Sequence, residues 1–321
     1  MVINASSYAD YEDTVKQLQE LSVEKNLWKN SEWLNLLHYS GDGETDDDYT
    51  SSVRDKHFFL AEDGSTNPKS ELLATLDGFY DTDTKDDDNP QCTYIARLNW
   101  LSKQLDIEPS SMPAVDCKKY NDWRKNIQPE RATLIFPTYH LNSPSSMFGH
   151  TLIRLDPAVD KGESKWLSVA VNFGANTPEG ENSILYAYKG LAGGYPGIFV
   201  TDYYYKKIQE YNRIEHRDIW EYRLNLTPEE TEHIVTHLWE LQEINFDYYF
   251  FDENCSYRLL ELLEIARPGT ELTDEYILTA IPIDTVKAIK KTGMIESVDY
   301  RPARATMLSY MLEQIPEKHH E

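Results

Sequence analysis

Residues 250–260, with the sequence FFDENCSYRLL, decide how the second half of this 321-residue chain is expected to fold. An aromatic run, two acids and Asn254 precede Cys255, and the leucines that follow have the spacing of an amphipathic helix that begins at or just before the cysteine. A thiol in the first turn of a helix feels the positive end of the helix dipole, which lowers its pKa and favours the thiolate. Cys255 is therefore either a nucleophile or, as most free cysteines are, a small buried core residue.

Strand-like segments precede this helix in the chain. Four are predicted, over residues 131–139, 150–155, 166–174 and 217–226. A further helix begins at the capping box TPEE and runs over residues 228–244. Antiparallel strands with helices packed on one face make an α+β domain, which we place at residues 129–296. Residues 297–321 are expected to be a tail, or a linker to a further domain.

The remaining part of the chain, residues 1–128, is predicted to be a mostly helical domain. Its clearest helix start is at Asn67 and Pro68, a capping residue followed by a proline in the first turn. Acidic loops at 42–48 and 81–88 lack the glycine and glutamate that an EF-hand needs at its sixth and twelfth positions. We expect these loops to be solvated rather than calcium-binding, and we find no pattern of catalytic residues in this domain.

The charge of the chain limits its partners. The formal net charge is −24, whereas a nucleic-acid site needs clustered lysine and arginine, so no nucleic acid is expected. No apolar run is long enough to cross a bilayer, and an acidic surface is repelled by anionic lipids, so any membrane contact is expected to be peripheral. No signal-peptide pattern precedes Val2, and the start resembles a mature or cloned N-terminus.

The three cysteines allow two interpretations. In the first, Cys92 and Cys117, which flank a predicted helix, form a disulfide and leave Cys255 free. In the second, all three thiols are reduced. The first interpretation suits an oxidising compartment. His233 and His237 are four residues apart on a predicted helix, but no acidic or cysteine partner lies at ligand spacing, so neither a metal nor a cofactor is expected.

His150 is the predicted partner of Cys255. It opens a strand after a loop rich in serine and glycine, a place where side chains tend to line a cleft. An imidazole held by a polar neighbour takes a thiol proton, and Asn172 on the next predicted strand is the candidate for that contact. Weaker candidates from the preceding loop are Asn142, Ser145 and Ser146, and His140 is a third possibility for the base. The alternative for His150 is a structural histidine.

Two motifs together resemble a known family. SPSSMFGHT at 143–151 and DENCSY at 252–257 resemble the N-terminal periplasmic domain of the bacterial lipoprotein N-acyltransferase Lnb, long catalogued as a domain of unknown function. The resemblance covers residues 131–268, and residues 33–123 resemble the helical domain that precedes it in proteobacterial members. The order of histidine strand and cysteine helix is also similar to the circularly permuted papain-like, NlpC-type enzymes.

These resemblances imply a periplasmic, cysteine-dependent acyltransferase or acyl hydrolase with a permuted papain-like core. Cys255 would be the nucleophile that forms a thioester, His150 the general base and Asn172 the third polar residue. The backbone N–H of Cys255 would bind the oxyanion, with Ser145, Ser146 and Asn254 as further oxyanion or cleft candidates.

The expected partners are a lipid acyl chain, a lipoprotein or a cell-wall peptide. The aromatic and glycine-rich residues 185–205 are either a wall for an acyl chain or glycan or an ordinary aromatic core. The alternative functions are a peptidoglycan amidase or peptidase and a non-catalytic envelope binding module.

Overall fold

The computed structural model describes residues 5–41, 49–139, 149–157, 167–176, 194–249, 254–274, 276 and 281–314. Its helices and its antiparallel sheet of seven strands confirm the predicted α+β fold class. The chain divides into two compact units: residues 1–127 with 233–246, and residues 128–232 with 247–321. In the part of the chain that the structure describes, no helix has both the length and the apolar character needed to cross a membrane.

The first unit is mainly helical. Its helices are α1 (Ala5–Glu24), α2 (Ser31–Leu36), α3 (Pro68–Phe79), α4 (Pro90–Thr93), α5 (Ile95–Leu105) and α6 (Lys118–Asn126), and its small sheet pairs β1 (Tyr39–Ser40) with β2 (Thr50–Ser51). The predicted cap of α3 is present, because the Asn67 side chain accepts a hydrogen bond from the backbone N–H of Ser70 (3.0 Å). Cys92 and Cys117 form a disulfide, with Cα atoms 5.1 Å apart.

A buried ion cluster organises the core of this unit. The Arg97 guanidinium is fully enclosed and donates to Glu71 (2.9 Å) and to Glu240 (3.1 Å). Burial raises the pKa of both carboxyls, to about 7 for Glu240, and the charge of Arg97 opposes that rise. A buried charge is tolerated when it is paired and hydrogen-bonded, so these three side chains hold α3, α5 and the helix that ends at Glu240 in one arrangement.

The second unit is built on the seven-stranded sheet. Its strands are β3 (Pro129–Pro137), β4 (Leu152–Pro157), β5 (Val169–Ala175), β6 (Tyr195–Tyr203), β7 (Ile219–Leu224), β8 (Phe246–Tyr248) and β9 (Ile295–Arg301), in the order β8-β6-β5-β4-β3-β7-β9. The registers described, from β6 through β5, β4, β3 and β7 to β9, are all antiparallel. Neighbouring strands therefore run in opposite directions, which places the end of β3 beside the start of β4.

The helices of this unit are α7 (Tyr204–Ile208), α9 (Cys255–Ala266), α10 (Pro282–Lys291) and α11 (Arg304–Glu313), and α8 (Pro228–Glu240) begins in it and ends in the first unit. α7 continues into a π-helical turn, Gln209–Ile214, and both pack on one face of the sheet in an apolar cluster of Ile135, Leu152, Ala170, Tyr204, Ile208, Tyr211 and Ile219. α9 packs against β4 and β5.

Two features of the structure cross the domain boundaries that were predicted from the sequence. β9 pairs with β7 from Ile295 to Arg301, so the sheet extends into the range expected to be a tail, and α11 follows it. The first unit takes in residues 233–246, which sequence analysis placed in the α+β domain. The reason is packing: besides the Glu240 contact with Arg97, the indole N–H of Trp239 donates to the backbone carbonyl of Cys92 (2.7 Å).

Candidate active site

Cys255 is the first residue of α9, and Asn254 is the cap of that helix. The Asn254 side-chain oxygen accepts hydrogen bonds from the backbone N–H groups of Ser256 (2.9 Å) and Tyr257 (3.4 Å). The cap fixes the first turn, where backbone N–H groups have no partner within the helix. The Cys255 side chain is buried, with 2% of its surface exposed. The thiol therefore lies at the positive end of a capped helix and away from bulk water.

His150 reaches the site through a turn that only glycine accommodates. Gly149 has a φ of +101°, and a Cβ added to it would lie 2.8 Å from a ring carbon of Phe136. The backbone N–H of His150 then donates to the carbonyl of Pro137 at the end of β3 (3.3 Å). The close approach of Gly149 to Phe136 thus sets where His150 lies, two residues before β4 begins.

Asn172 orients the imidazole. Its side-chain oxygen lies 2.5 Å from Nε2 of His150, and a carbonyl oxygen is only an acceptor, so Nε2 carries a proton and donates it. Nδ1 is the ring nitrogen that is left to meet the Cys255 thiol, to which the imidazole is hydrogen-bonded. The structure thus brings together the three residues that sequence analysis proposed from distant parts of the chain.

The two titratable groups move each other's pKa in the directions expected for an ion pair. Burial would raise the pKa of Cys255, but the charge and hydrogen bond of His150 outweigh it and bring the pKa down to about 7. Burial would lower the pKa of His150, but the Cys255 charge, its hydrogen bond and the Asn172 contact raise it. Both directions favour a thiolate paired with an imidazolium, which is the state that a nucleophilic cysteine requires.

Thr151 and Ser256 connect the two elements that carry the pair. Their hydroxyls are 3.0 Å apart, and the backbone N–H of Thr151 donates to the Cys255 sulfur, which further favours the thiolate. The Ser256 hydroxyl lies 3.9 Å from the same sulfur. Sequence analysis did not assign either residue, although both stand next to a residue that it did assign.

Tyr211 and Arg217 also lie beside the imidazole and carried no signal in the sequence. The Tyr211 ring centroid is 5.8 Å from that of His150, and the Arg217 guanidinium carbon is 5.0 Å from the centre of the Tyr211 ring. Tyr211 belongs to the π-helical turn after α7, a type of turn that is frequent at functional sites. Periodicity did not predict this turn, because an extra residue per turn leaves no regular pattern.

Other candidate residues lie elsewhere. His140, Asn142, Ser145 and Ser146 lie outside the described residues. Within the segment expected to form an acyl-chain wall, Tyr204 is buried and donates to Glu221 (3.0 Å), whereas Tyr203 and Tyr205 stack on each other and are exposed over 49% and 40% of their surface.

His237 lies in the first unit, where its Nε2 is 3.0 Å from Nε2 of His38. Burial, with the nearby His38 and Arg97, holds the pKa of His237 well below its usual value, so its ring is neutral. Among the described residues, no three histidine, cysteine, aspartate or glutamate side chains come together as metal ligands.

Comparison with known proteins covers most of the chain. The profile of the family described as Lnb N-terminal periplasmic domain matches residues 119–292, more than half of the sequence. A second family, described as a domain of unknown function (DUF7843), matches residues 25–104 in the first unit. No curated protein and no solved structure matches the chain, so the expected papain-like core stays a prediction. The first match covers more than half of the chain and includes both His150 and Cys255. The chain therefore belongs to the Lnb N-terminal periplasmic domain family.

Proposed function

We propose that this protein is a cysteine-dependent acyltransferase or acyl hydrolase of the bacterial envelope that works through a thioester on Cys255. The observation that carries the proposal is the hydrogen-bonded series Cys255–His150–Asn172, in which the pKa of the thiol falls to about 7 and that of the imidazole rises. A structural cysteine in an apolar core has a raised pKa instead. The periplasmic family supports the location, and the Cys92–Cys117 disulfide fits an oxidising compartment.

The chemistry needs two transfers. The Cys255 thiolate attacks the carbonyl carbon of an acyl ester, and the backbone N–H of Cys255 stabilises the oxyanion. As the carbon–oxygen bond to the alcohol breaks, the His150 imidazolium gives its proton to the departing oxygen, which leaves a thioester and a neutral imidazole. An amine or a water molecule then attacks the thioester, His150 accepts its proton, and the acyl group leaves with the acceptor while the thiolate re-forms.

Exposed apolar side chains at this end of the sheet favour a lipid acyl donor. Tyr139 follows β3 and Ile214 ends the π-helical turn, each with about two-thirds of its surface exposed. α11 starts beside them, because the backbone N–H of Ala303 (2.7 Å) and the hydroxyl of Thr306 (2.8 Å) both donate to Asp218 at the start of β7. The exposed apolar residues of α11 are Met307, Leu308, Tyr310, Met311 and Leu312. Apolar surface at the end of the sheet next to His150 suits an acyl chain better than a polar cell-wall peptide.

Intact-mass analysis tests the proposal. The protein is mixed with phosphatidylethanolamine vesicles, quenched in acid and weighed, with and without hydroxylamine, which cleaves thioesters. We expect one added acyl mass that hydroxylamine removes and that is absent from Cys255→Ala. Cys255→Ser is the matched control, because it keeps the size of the side chain but not the acidity of the thiol.

Two other results would contradict it. Release of peptides from purified peptidoglycan, without any acyl adduct from lipid, would make the protein an amidase or peptidase that uses the same pair. No adduct, together with iodoacetamide labelling of Cys255 no faster than in the denatured chain at neutral pH, would leave a non-catalytic binding module.

A further inference from the structure

Arg217 holds the backbone at the end of β3, where the backbone N–H of His150 is bound. It is almost fully buried, and its Nε donates to the carbonyl of Thr138 (2.5 Å) while one terminal nitrogen donates to the carbonyl of Pro137 (3.0 Å). The Pro137 carbonyl also accepts the backbone N–H of His150. One guanidinium thus fixes the end of β3, and β3 in turn fixes the entry of β4.

Arg217 also acts on the imidazole ring from the side. Its guanidinium stacks on Tyr211, and Tyr211 lies against the His150 ring, on the same sheet face as the apolar cluster. The remaining guanidinium nitrogen pairs with Glu215 (3.0 Å), just after the π-helical turn. Each guanidinium nitrogen therefore donates a hydrogen bond to another group of the protein, which argues against a role of Arg217 in binding substrate.

We infer that Arg217 is a positioning residue for His150, acting on its backbone through the Pro137 carbonyl and on its ring through Tyr211. The inference rests on the proposed function, since it assigns a role only if the Cys255–His150 pair is reactive. A planar guanidinium satisfies two carbonyls and a ring face at once, whereas a lysine ammonium is a point donor that does not stack in this way. An imidazole that is less firmly positioned stabilises the thiolate less. The effect is therefore measured as a higher pKa of Cys255.

The test is the pH profile of the iodoacetamide reaction at Cys255 of the full chain, followed by intact mass without reductant. The wild-type rate is expected to reach half of its plateau near pH 7, as the thiol pKa requires. In Arg217→Lys, which keeps the positive charge, we expect the midpoint to rise by about one pH unit, which lowers the rate at pH 6 about tenfold. Tyr211→Leu is expected to do the same, and Tyr211→Phe, which keeps the ring, to leave the midpoint in place.

Tyr204→Leu is the matched control. Tyr204 belongs to the same apolar cluster and is stacked by another buried arginine, Arg154 (4.7 Å), but its hydroxyl binds Glu221. We expect this variant to lose stability as Tyr211→Leu does and to keep the midpoint near pH 7. Because Tyr211→Leu removes core volume, Arg217→Lys and Tyr211→Phe keep the test valid if that variant does not fold.

Three outcomes are distinct. Unchanged midpoints in Arg217→Lys and Tyr211→Leu overturn the positioning role and leave the proposed function intact. An equal shift in Tyr204→Leu would assign the effect to general packing and also overturn it. A wild-type midpoint near 9, the ordinary value for a thiol, would refute the proposed function itself.

Discussion

At the scale of single residues, the lack of charge on Asn172 determines which group chiefly raises the pKa of His150. The amide oxygen accepts a hydrogen bond from Nε2 (2.5 Å) but adds no charge beside the ring. The charge that raises the pKa of the imidazole is then chiefly that of the Cys255 thiolate. In the proposed reaction, attack of the sulfur on an acyl carbonyl removes that charge, so the imidazolium becomes a better proton donor to the leaving group.

Replacement of Asn172 tests this arrangement. Asn172→Ala removes the acceptor for Nε2, so we expect the pKa of Cys255 to rise by about one unit and its alkylation rate at pH 6 to fall about tenfold. Asn172→Asp keeps an acceptor in place and is expected to recover part of the rate. The measurement is the same alkylation profile; a wild-type rate in Asn172→Ala would show that the imidazole is held by other contacts.

At the scale of elements, the turn into β4 places the base. Gly149→Ala meets both a φ of +101° and the Phe136 ring, so we expect a loss of about 2–3 kcal/mol in the free energy of unfolding and slower alkylation of Cys255. Gly293 also has a positive φ, +74°, but nothing within 4 Å of an added Cβ. Gly293→Ala is therefore expected to cost about 1 kcal/mol without any change at Cys255. Urea denaturation and alkylation rates measure the two effects separately, and equal alkylation in both variants would contradict the prediction.

The cap of α9 has a separate test, because Asn254 was also a candidate oxyanion donor. If capping is its main role, Asn254→Ser keeps both stability and acylation, whereas Asn254→Ala loses about 1 kcal/mol of unfolding free energy. Asn254→Asp also caps the helix, but its negative charge is expected to raise the pKa of the adjacent thiol. Thermal unfolding and acyl-adduct yield are measured together. A large loss of adduct in the stable Asn254→Ser variant would instead assign the oxyanion role to the Asn254 amide.

Local sequence signals were sufficient for part of the site and of the fold. The start of α9, the strand that follows His150 and the α+β class follow from a capping residue, apolar spacing and strand-forming residues within short windows, although that strand begins at Leu152 rather than at His150. Asn172 was placed by its position on the next strand alone. Tyr211 and Arg217 could not be found in this way, because a π-helical turn and the packing of β3 against β7 bring them to His150. The extension of β9 to Arg301 likewise depends on its pairing with β7 rather than on its own sequence.

At the scale of the whole molecule, the first unit depends on a charge cluster that no short window of sequence reveals. Arg97 joins Glu71 and Glu240, which lie far apart in the chain. Because burial raises the pKa of Glu240 to about 7, the folded state holds this proton more tightly than the unfolded state does. The contribution of Glu240 to stability is therefore fully present at low pH and is lost as the pH rises from about 4.5 through about 7.

Removal of Arg97 should expose this dependence. Arg97→Met leaves two buried carboxyls without a counter-charge, and we expect the free energy of unfolding to fall by about 3–5 kcal/mol at pH 8. The loss is expected to be smaller at pH 5, where the Glu240 carboxyl holds its proton. Lys119→Met, which removes a surface pair with Asp88 (3.7 Å), is the control and is expected to change stability by about 0.5 kcal/mol or less. Urea denaturation at the two pH values measures both variants, and an equal loss at pH 5 and pH 8 would contradict the role of the carboxyl protons.

The position of the disulfide has a consequence for biogenesis. Cys92 and Cys117 are 25 residues apart, whereas Cys255 follows much later in the chain. A short loop closes at a lower entropic cost than a long one, so Cys92 meets Cys117 more readily than either meets Cys255. The spacing of the cysteines therefore favours the pairing that leaves the candidate nucleophile with a free thiol when the chain is oxidised.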